Sequence, residues 1–232
     1  MKKFSVITLF PESIESFAQS SMLKRAQEAK ILRISAINPR DYTTDKHRKT
    51  DDRPYGGGPG MVMKAEPILR AAEAALKRIK KHESRSKKNL DSKFLIPDST
   101  KIIILSPRGK QFTNDLARRY AKKYVHLVLI AGHYEGIDAR VKKILKAEEI
   151  STGPYVLTGG ELPALTIIDA VSRQIKGVLG KEESLEESRT ASSEVYTRPP
   201  EFTHKKKTHK VPAVLFSGNH AEVEAWRKKR AR

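Results

Sequence analysis

The chain has 232 residues, enough for one large domain or two smaller ones around a sizeable core. It contains no cysteine, which excludes disulfides and suits the cytoplasm, and its seven histidines are scattered, so we expect no metal site. The 46 Lys and Arg residues outnumber the 27 Asp and Glu residues and give a net charge of +19. This balance favours a polyanionic partner such as a nucleic acid, with a merely solvated cationic surface as the alternative.

The N-terminal part of the chain alternates between apolar runs and a helical pattern. Residues 4–10 predict a buried strand, and the proline that follows ends this run too early for a signal sequence or a membrane span, so we expect no membrane association. Apolar side chains recur at helical spacing over 11–30, and the alternation at 31–37 predicts a second strand. Residues 38–60 are polar and glycine-rich, which predicts a long loop before a helix over 64–80.

The middle of the chain continues this alternation after one irregular segment. Residues 81–100 are charged, serine-bearing and mostly aperiodic, which predicts a mobile basic insertion at the surface. Beyond it we predict strands at 101–106 and 126–132, a strand or extended segment around 149–157, and helices at 112–123, after Glu135 and from about Glu161. Strands that alternate with helices predict an α/β fold with a mostly parallel sheet.

The composition then changes, which divides the chain into domains. We predict a main α/β domain over 1–179, an acidic and serine-rich linker over 180–190, and a small, mostly helical C-terminal domain over 191–232. The last domain carries the lysine run HKKKTHK and a predicted final helix over 220–229.

Three glycine-bearing loops follow or precede predicted elements of the main domain. They are LSPRG at 105–109, AGHYEGID at 131–138 and STGPYVLTGGELP at 151–163. In an open α/β sheet, ligands bind where loops leave the carboxyl ends of strands, and glycine there lets backbone groups reach a ligand directly. Because three such loops occur together, they favour a cofactor read by backbone hydrogen bonds, such as one with an adenine ring, over ordinary turns.

The order of the motifs carries a family resemblance. DDRPYGGGPGM, LSPRG, YEGID, YVLTGGELPALTIIDAVSR, GVLG, YTRPPEF and SGNHAEVEAWR follow one another as in the bacterial tRNA (guanine-N1)-methyltransferases, which the chain resembles nearly throughout, outside 81–100. The resemblance implies an α/β fold of the SPOUT class with a deep C-terminal trefoil knot. It also implies a homodimer with sites shared by both chains, S-adenosylmethionine (SAM) as cofactor, and methylation of N1 of the guanosine at tRNA position 37, 3′ of the anticodon.

The resemblance assigns the SAM pocket to residues of the three loops. These residues are Leu105, Ser106, Pro107 and Gly109, then Gly132, Tyr134, Glu135 and Gly136, and finally Gly153, Tyr155, Leu157, Gly159, Gly160 and Pro163. Glu135 would balance the positive charge of the cofactor's sulfonium or amino group, and a solvated or capping carboxylate is the alternative.

Contacts to the tRNA are expected in two places. The loop DDRPYGGGPGM resembles a family loop near the target base, and it offers Arg53, Gly58 and Gly60, since glycine lets the chain lie close to a nucleotide. A turn that only positions the dimer partner is the alternative. In the C-terminal domain we expect Lys205, Lys206 and Lys207 to hold the tRNA.

Catalysis at guanine N1 needs a general base, because N1 carries a proton, and a cation near O6, where negative charge collects. By resemblance, Arg173 in DAVSR takes the second role. The family's Asp-Ser pair after GVLG is not matched, and Glu187 is the expected base, with Glu186 second; two solvated linker acids without a role in catalysis are the alternative. An RNA-binding protein with impaired catalysis and an rRNA methyltransferase are the alternatives.

Overall fold

A computed structural model of the chain describes residues 1–83, 96–179 and 194–230. The chain divides after Leu179 into two compact units. Most of the predicted insertion over 81–100 and the linker over 180–190 lie outside the described residues, and so do the predicted bases Glu186 and Glu187.

Strands and helices alternate along the larger unit, and a short second set follows in the smaller one. In chain order they are β1 (Lys2–Ile7), α1 (Pro11–Ala18), α2 (Ser21–Glu28), β2 (Leu32–Ile37), β3 (Asp51–Asp52), β4 (Val62–Met63), α3 (Ala65–Glu83), β5 (Thr100–Gln111), α4 (Asn114–Lys123), β6 (His126–Ala131), α5 (Ala139–Leu145), β7 (Glu148–Ser151), α6 (Glu161–Arg173), β8 (Glu201–His204), β9 (Lys207–Lys210) and α7 (His220–Lys229).

The centre of the larger unit is a five-stranded sheet in the order β2-β1-β6-β5-β7. Every neighbouring pair in it is parallel, which confirms the predicted α/β fold with a parallel sheet. All carboxyl ends therefore meet at one edge of the sheet, and the loops that leave them converge there.

Helices cover both faces of the sheet. Along β6, Leu127 and Leu129 point to one face and Val128 and Ile130 to the other, as expected for a strand buried on both sides. The first face packs against α1, α2, α4 and α6, and the second against α3 and α5. Among the described helices, none is both long enough and apolar enough to cross a membrane.

The helix predicted over 11–30 is in fact two helices. Ser20 adopts an extended conformation (φ −109°, ψ 150°) and Ser21 has a φ of +45°, so the helical hydrogen-bond ladder stops between α1 and α2. Serine side chains compete with the backbone for hydrogen bonds, which makes this pair a natural break. The helix predicted at 64–80 is confirmed as α3.

β5 is longer than the strand predicted at 101–106 because the chain rejoins the sheet after LSPRG. Leu105 and Lys110 both register with Ile150 of β7, so the residues between them loop out of the ladder. A β-carbon at Gly109 would lie 2.5 Å from the backbone nitrogen of Ile150. Only glycine allows the returning chain to lie this close to β7.

The described part of the smaller unit is not mostly helical, and that prediction is wrong. β8 and β9 form an antiparallel hairpin, followed by a 3-10 turn at Ala213–Phe216 and by α7. The sequence pattern gave little sign of the hairpin, because its lysines, histidines and threonines do not alternate between apolar and polar. The predicted final helix is confirmed as α7.

Candidate active site

A cavity of about 1190 Å³ opens at the carboxyl ends of β5, β6 and β7. The loops after these strands line it, and every predicted cofactor residue except Gly109 and Gly153 contributes to its wall. Ligand cavities in proteins typically measure about 300–1000 Å³, so this one has room for a nucleoside-sized cofactor and for part of a second molecule.

The two exceptions pack behind the wall. Gly109 lies against the backbone of β7, as described above, and a β-carbon at Gly153 would overlap the ring of Tyr155. Gly153 thereby lets Tyr155 fold back, and the Tyr155 hydroxyl donates a hydrogen bond to the Thr152 carbonyl at 3.3 Å. These glycines shape the cavity without lining it.

The third loop is folded directly onto the second. Gly160 donates its backbone N–H to the carbonyl of Gly132 at 3.0 Å, and a β-carbon at Gly160 would lie 2.5 Å from Cα of Ala131. Gly160 is therefore needed for the close approach of the two chain segments. This packing brings Gly132 to Gly136 and the start of α6 to one side of the cavity.

The glycine stretch DDRPYGGGPGM forms the loop between β3 and β4, which pair Asp51 with Met63 and Asp52 with Val62. Its last residue and β4 pair with the second cavity loop: Glu135 donates its N–H to the Met61 carbonyl at 3.0 Å, and Met63 donates its N–H to the Gly136 carbonyl at 2.9 Å.

Gly60 brings this stretch against a predicted cofactor residue. A β-carbon at Gly60 would lie 2.6 Å from the side chain of Glu135, and Gly60 has a φ of +79°. Gly58, with a φ of +117°, has open space around it, and Arg53 is exposed. The structure thus places the glycine stretch beside Glu135, while Arg53, Gly58 and Gly60 themselves lie outside the cavity wall.

A buried carboxylate that sequence reasoning missed stands at the start of α6. Glu161 contacts Thr8 from the loop after β1 and His133 from the loop after β6. Glu161 is the central residue of the segment GGELP, in which only the glycines and the proline are predicted to contact the cofactor. A glutamate at the first turn of a helix gives a weak sequence signal, because it is commonly just a favourable charge at a helix N-terminus.

Side chains of both charges contribute to the lining of the cavity. The basic ones are Arg108, Lys142, Lys143 and Lys146, and the acidic ones are Glu135, Asp138 and Glu149. Lys142 and Glu149 form an ion pair at 2.8 Å.

Arg173 does not reach the cavity of its own chain. It is the last residue of α6, whose first turn lies at the cavity. α6 has 13 residues, so Arg173 lies about 18 Å along the helix axis from Glu161. The predicted O6 contact and the predicted cofactor residues are therefore far apart within one chain.

The three predicted tRNA lysines occupy the tip of the C-terminal hairpin. Lys205 and Lys206 form the two-residue turn between β8 and β9, with φ values of +46° and +65°, and Lys207 begins β9. All three are exposed. They belong to the smaller unit, and the cavity belongs to the larger one.

A parallel α/β sheet with bare glycine loops around a cavity at its carboxyl edge defines an open α/β protein with a ligand site at the ends of its strands. A family model described as tRNA (Guanine-1)-methyltransferase TrmD matches residues 1–232. The chain belongs to this family, as the motif resemblance predicts.

Several similar proteins carry the name tRNA (guanine-N(1)-)-methyltransferase. The protein from Carboxydothermus hydrogenoformans is 47% identical over 233 residues, covering 99% of this chain and 82% of the relative. That from Thermomicrobium roseum is 47% identical over 229 residues, covering 97% of this chain and 77% of the relative. That from Staphylococcus carnosus is 42% identical over 229 residues, covering 97% and 84%.

Proposed function

We propose that this protein transfers the methyl group of SAM to N1 of the guanosine at tRNA position 37. Family membership gives the coarser statement, methyl transfer to guanine N1 in tRNA. The observation that carries the finer proposal is the cavity on which three bare loops converge, with the glycine stretch packed against the second of these loops. The reaction takes place where tRNA is found, in the cytoplasm.

The residues around the cavity fit SAM. Glycines leave the backbone of the second and third loops bare, and Leu105, Pro107 and Leu157 offer apolar surface to an adenine ring. Glu135 supplies a carboxylate for a cationic group of the cofactor. When bound, SAM would supply a methyl group on a positively charged sulfur, and the three loops would hold the cofactor in the cavity.

The position of Arg173 supports a homodimer with shared sites. Because this arginine lies far from the cavity of its own chain, its proposed contact with guanine O6 takes place at the cavity of a second copy. α1 packs against α6, and Phe17 and Leu162 on these helices are large apolar side chains with 39% and 62% exposure. A second copy would cover these two apolar side chains.

The remaining chemistry is assigned to the linker. Glu187, or Glu186 as the second candidate, would remove the N1 proton of guanine, and Arg173 would stabilise the charge that collects at O6. We also infer a SPOUT trefoil knot, supported by the passage of Gly160 directly across the end of β6 at Ala131 and Gly132. This packing lets the chain cross from β7 to α6 beside the second cavity loop.

A methyl-transfer assay with labelled SAM and tRNA transcripts tests the proposal. A transcript with guanosine at position 37 should accept label at N1, and the same transcript with adenosine there should not. Label on rRNA fragments instead would support the rRNA alternative, and tRNA binding without any transfer would support the RNA-binding alternative.

Mixing two defective chains tests the shared site. Leu157→Trp fills the cavity of its own chain, and Arg173→Ala removes the arginine offered to the partner. A mixed dimer then keeps one complete site, so an equal mixture that exchanges subunits should regain about a quarter of wild-type activity. Each variant alone should stay inactive, and an inactive mixture with proven exchange would contradict the shared site.

A further inference from the structure

We propose that Glu161, acting through His133, positions the second cavity loop for cofactor binding; this rests on the proposed function of the cavity. Glu161 and His133 are positioning residues in this account. The proposal assigns a role to a buried carboxylate that the transfer chemistry itself leaves unused.

Both oxygens of the Glu161 carboxylate are engaged. Oε1 accepts a hydrogen bond from the hydroxyl of Thr8 at 2.5 Å, and Oε2 lies 2.7 Å from Nε2 of His133. Thr8 is itself held, because its hydroxyl oxygen accepts from the backbone N–H of Phe10 at 2.9 Å. Glu161 is 8% exposed, and a carboxylate buried to this extent is costly unless it is fully hydrogen-bonded.

These contacts join three separate parts of the carboxyl edge of the sheet. Thr8 follows β1, His133 follows β6, and Glu161 opens α6 after the third loop. Gly159 leaves the space that the pair needs, because a β-carbon there would lie 2.5 Å from Oε2 of Glu161 and would overlap the His133 ring. Glycine at position 159 is therefore needed for the contact between Glu161 and His133.

Because His133 belongs to the second cavity loop, its contact with Glu161 also holds that loop in position. His133 and its chain neighbours Gly132 and Tyr134 line the cavity, and the His133 carbonyl accepts the N–H of Gly136 at 3.2 Å. The ring of Phe10 packs against the His133 ring, with centroids 4.9 Å apart. These contacts hold the imidazole on two sides, and with it the loop that carries Glu135.

The test compares His133→Ala with His133→Gln, whose amide nitrogen can still donate to Glu161. His133→Ala should weaken SAM binding by about 10- to 100-fold, the range for a lost hydrogen bond to a charged group, and His133→Gln should restore most of it. Tyr120→Phe is the control: it removes the 3.0 Å hydrogen bond to Glu148, and because neither residue contributes to the cavity wall it should lower the melting temperature while leaving SAM affinity unchanged.

Hydrogen exchange of the cofactor-free protein gives a second readout that does not depend on ligand binding. The amides of Glu135 and Gly136 should exchange faster in His133→Ala than in the wild type or His133→Gln. If the alanine variant does not fold, Thr8→Val with Thr8→Ser as its rescue makes the same comparison from the other oxygen of Glu161.

The outcomes separate the inference from the function on which it rests. A wild-type protein that binds no SAM refutes the proposed cofactor, while exchange at Glu135 and Gly136 still decides the positioning role. Unchanged exchange and unchanged SAM affinity in His133→Ala, with only a lower melting temperature, would overturn the proposal. Equal losses in the alanine and glutamine variants would overturn it as well, because the hydrogen bond would then not be what positions the loop.

Discussion

The loops around the cavity and the C-terminal hairpin are both predicted to contact ligands, but they are built in opposite ways. The cavity loops leave the ends of buried strands, lie on one another through glycines, and are tied by the buried Glu161. The hairpin of β8 and β9 is exposed along its whole length and presents lysines at its tip. One region offers fixed backbone geometry, and the other offers charge.

Because the two regions are built differently, we expect them to recognise their ligands differently. Backbone groups on a rigid edge select shape, and their contribution changes little with ionic strength. Exposed lysines select charge, and their contribution falls steeply with salt because bound phosphates release counterions. We therefore expect substitutions in the cavity to act at any salt concentration and substitutions in the hairpin to act mainly at low salt.

The largest expected effect is on the rate of transfer. Glu187→Gln keeps the size of the side chain but removes the proposed base, and it should slow single-turnover methyl transfer by about 10²- to 10⁴-fold with SAM affinity intact. Raising the pH should partly restore the rate, because the guanine proton then leaves unaided. Wild-type rates for both Glu187→Gln and Glu186→Gln would place the base elsewhere.

The hairpin can be changed without weakening its fold. A turn with two positive φ values favours Asn-Gly, so replacing Lys205-Lys206 by Asn-Gly should hold or raise the melting temperature. Loss of two charges should lower the slope of log affinity for tRNA against log salt by about 2. The control is the double substitution Lys228→Gln with Lys229→Gln, which removes the same charge from α7. If the control changed the salt slope equally, the hairpin lysines would not be specific tRNA contacts.

The smallest effect concerns the sheet beneath the cavity. Burial, with a contribution from Lys3, lowers the pKa of His126 to about 4 from 6.5, and its ring contacts the Ser5 hydroxyl at 2.9 Å. The His126 ring therefore takes up a proton more readily in the unfolded chain than in the folded one. Its contribution to the free energy of unfolding is fully present above pH 6.5 and is lost as the pH falls towards 4.

Urea unfolding measures this loss. Protonation of His126 on unfolding should lower the free energy of unfolding by about 2 kcal/mol at pH 5 relative to pH 7.5. His126→Gln should remove that part of the pH dependence, whereas His209→Gln on the exposed hairpin should leave it in place. An unchanged pH profile in His126→Gln would show that this histidine is not protonated on unfolding as described.

The sequence predicted what depends on local pattern and missed what depends on distant contacts. Apolar runs predicted β1 and β6, and glycines marked the loops at the cavity. The return of β5 at Lys110 and the contact between His133 and Glu161 depend on segments far apart in the chain, and no local pattern encodes them. The position of Arg173 relative to the cavity follows only from the length and direction of α6.

The hairpin was missed for a different reason. Its turn uses two lysines where glycine and asparagine are the usual signal, so its geometry runs against local preference. Phe202 and His209 stack across the strands with ring centroids 5.4 Å apart, a pairing visible only once the register is known.

Two binding assays, carried out on two variants, test most directly whether the cavity binds SAM and the hairpin binds tRNA. Leu157→Trp and the Asn-Gly replacement of Lys205-Lys206 are each titrated by calorimetry with SAM and by filter binding with tRNA at low salt. The account predicts that Leu157→Trp loses SAM binding and keeps tRNA affinity, while the hairpin variant keeps SAM binding and loses tRNA affinity. Unchanged SAM binding in Leu157→Trp, with its fold intact, would contradict the assignment of the cavity to the methyl donor.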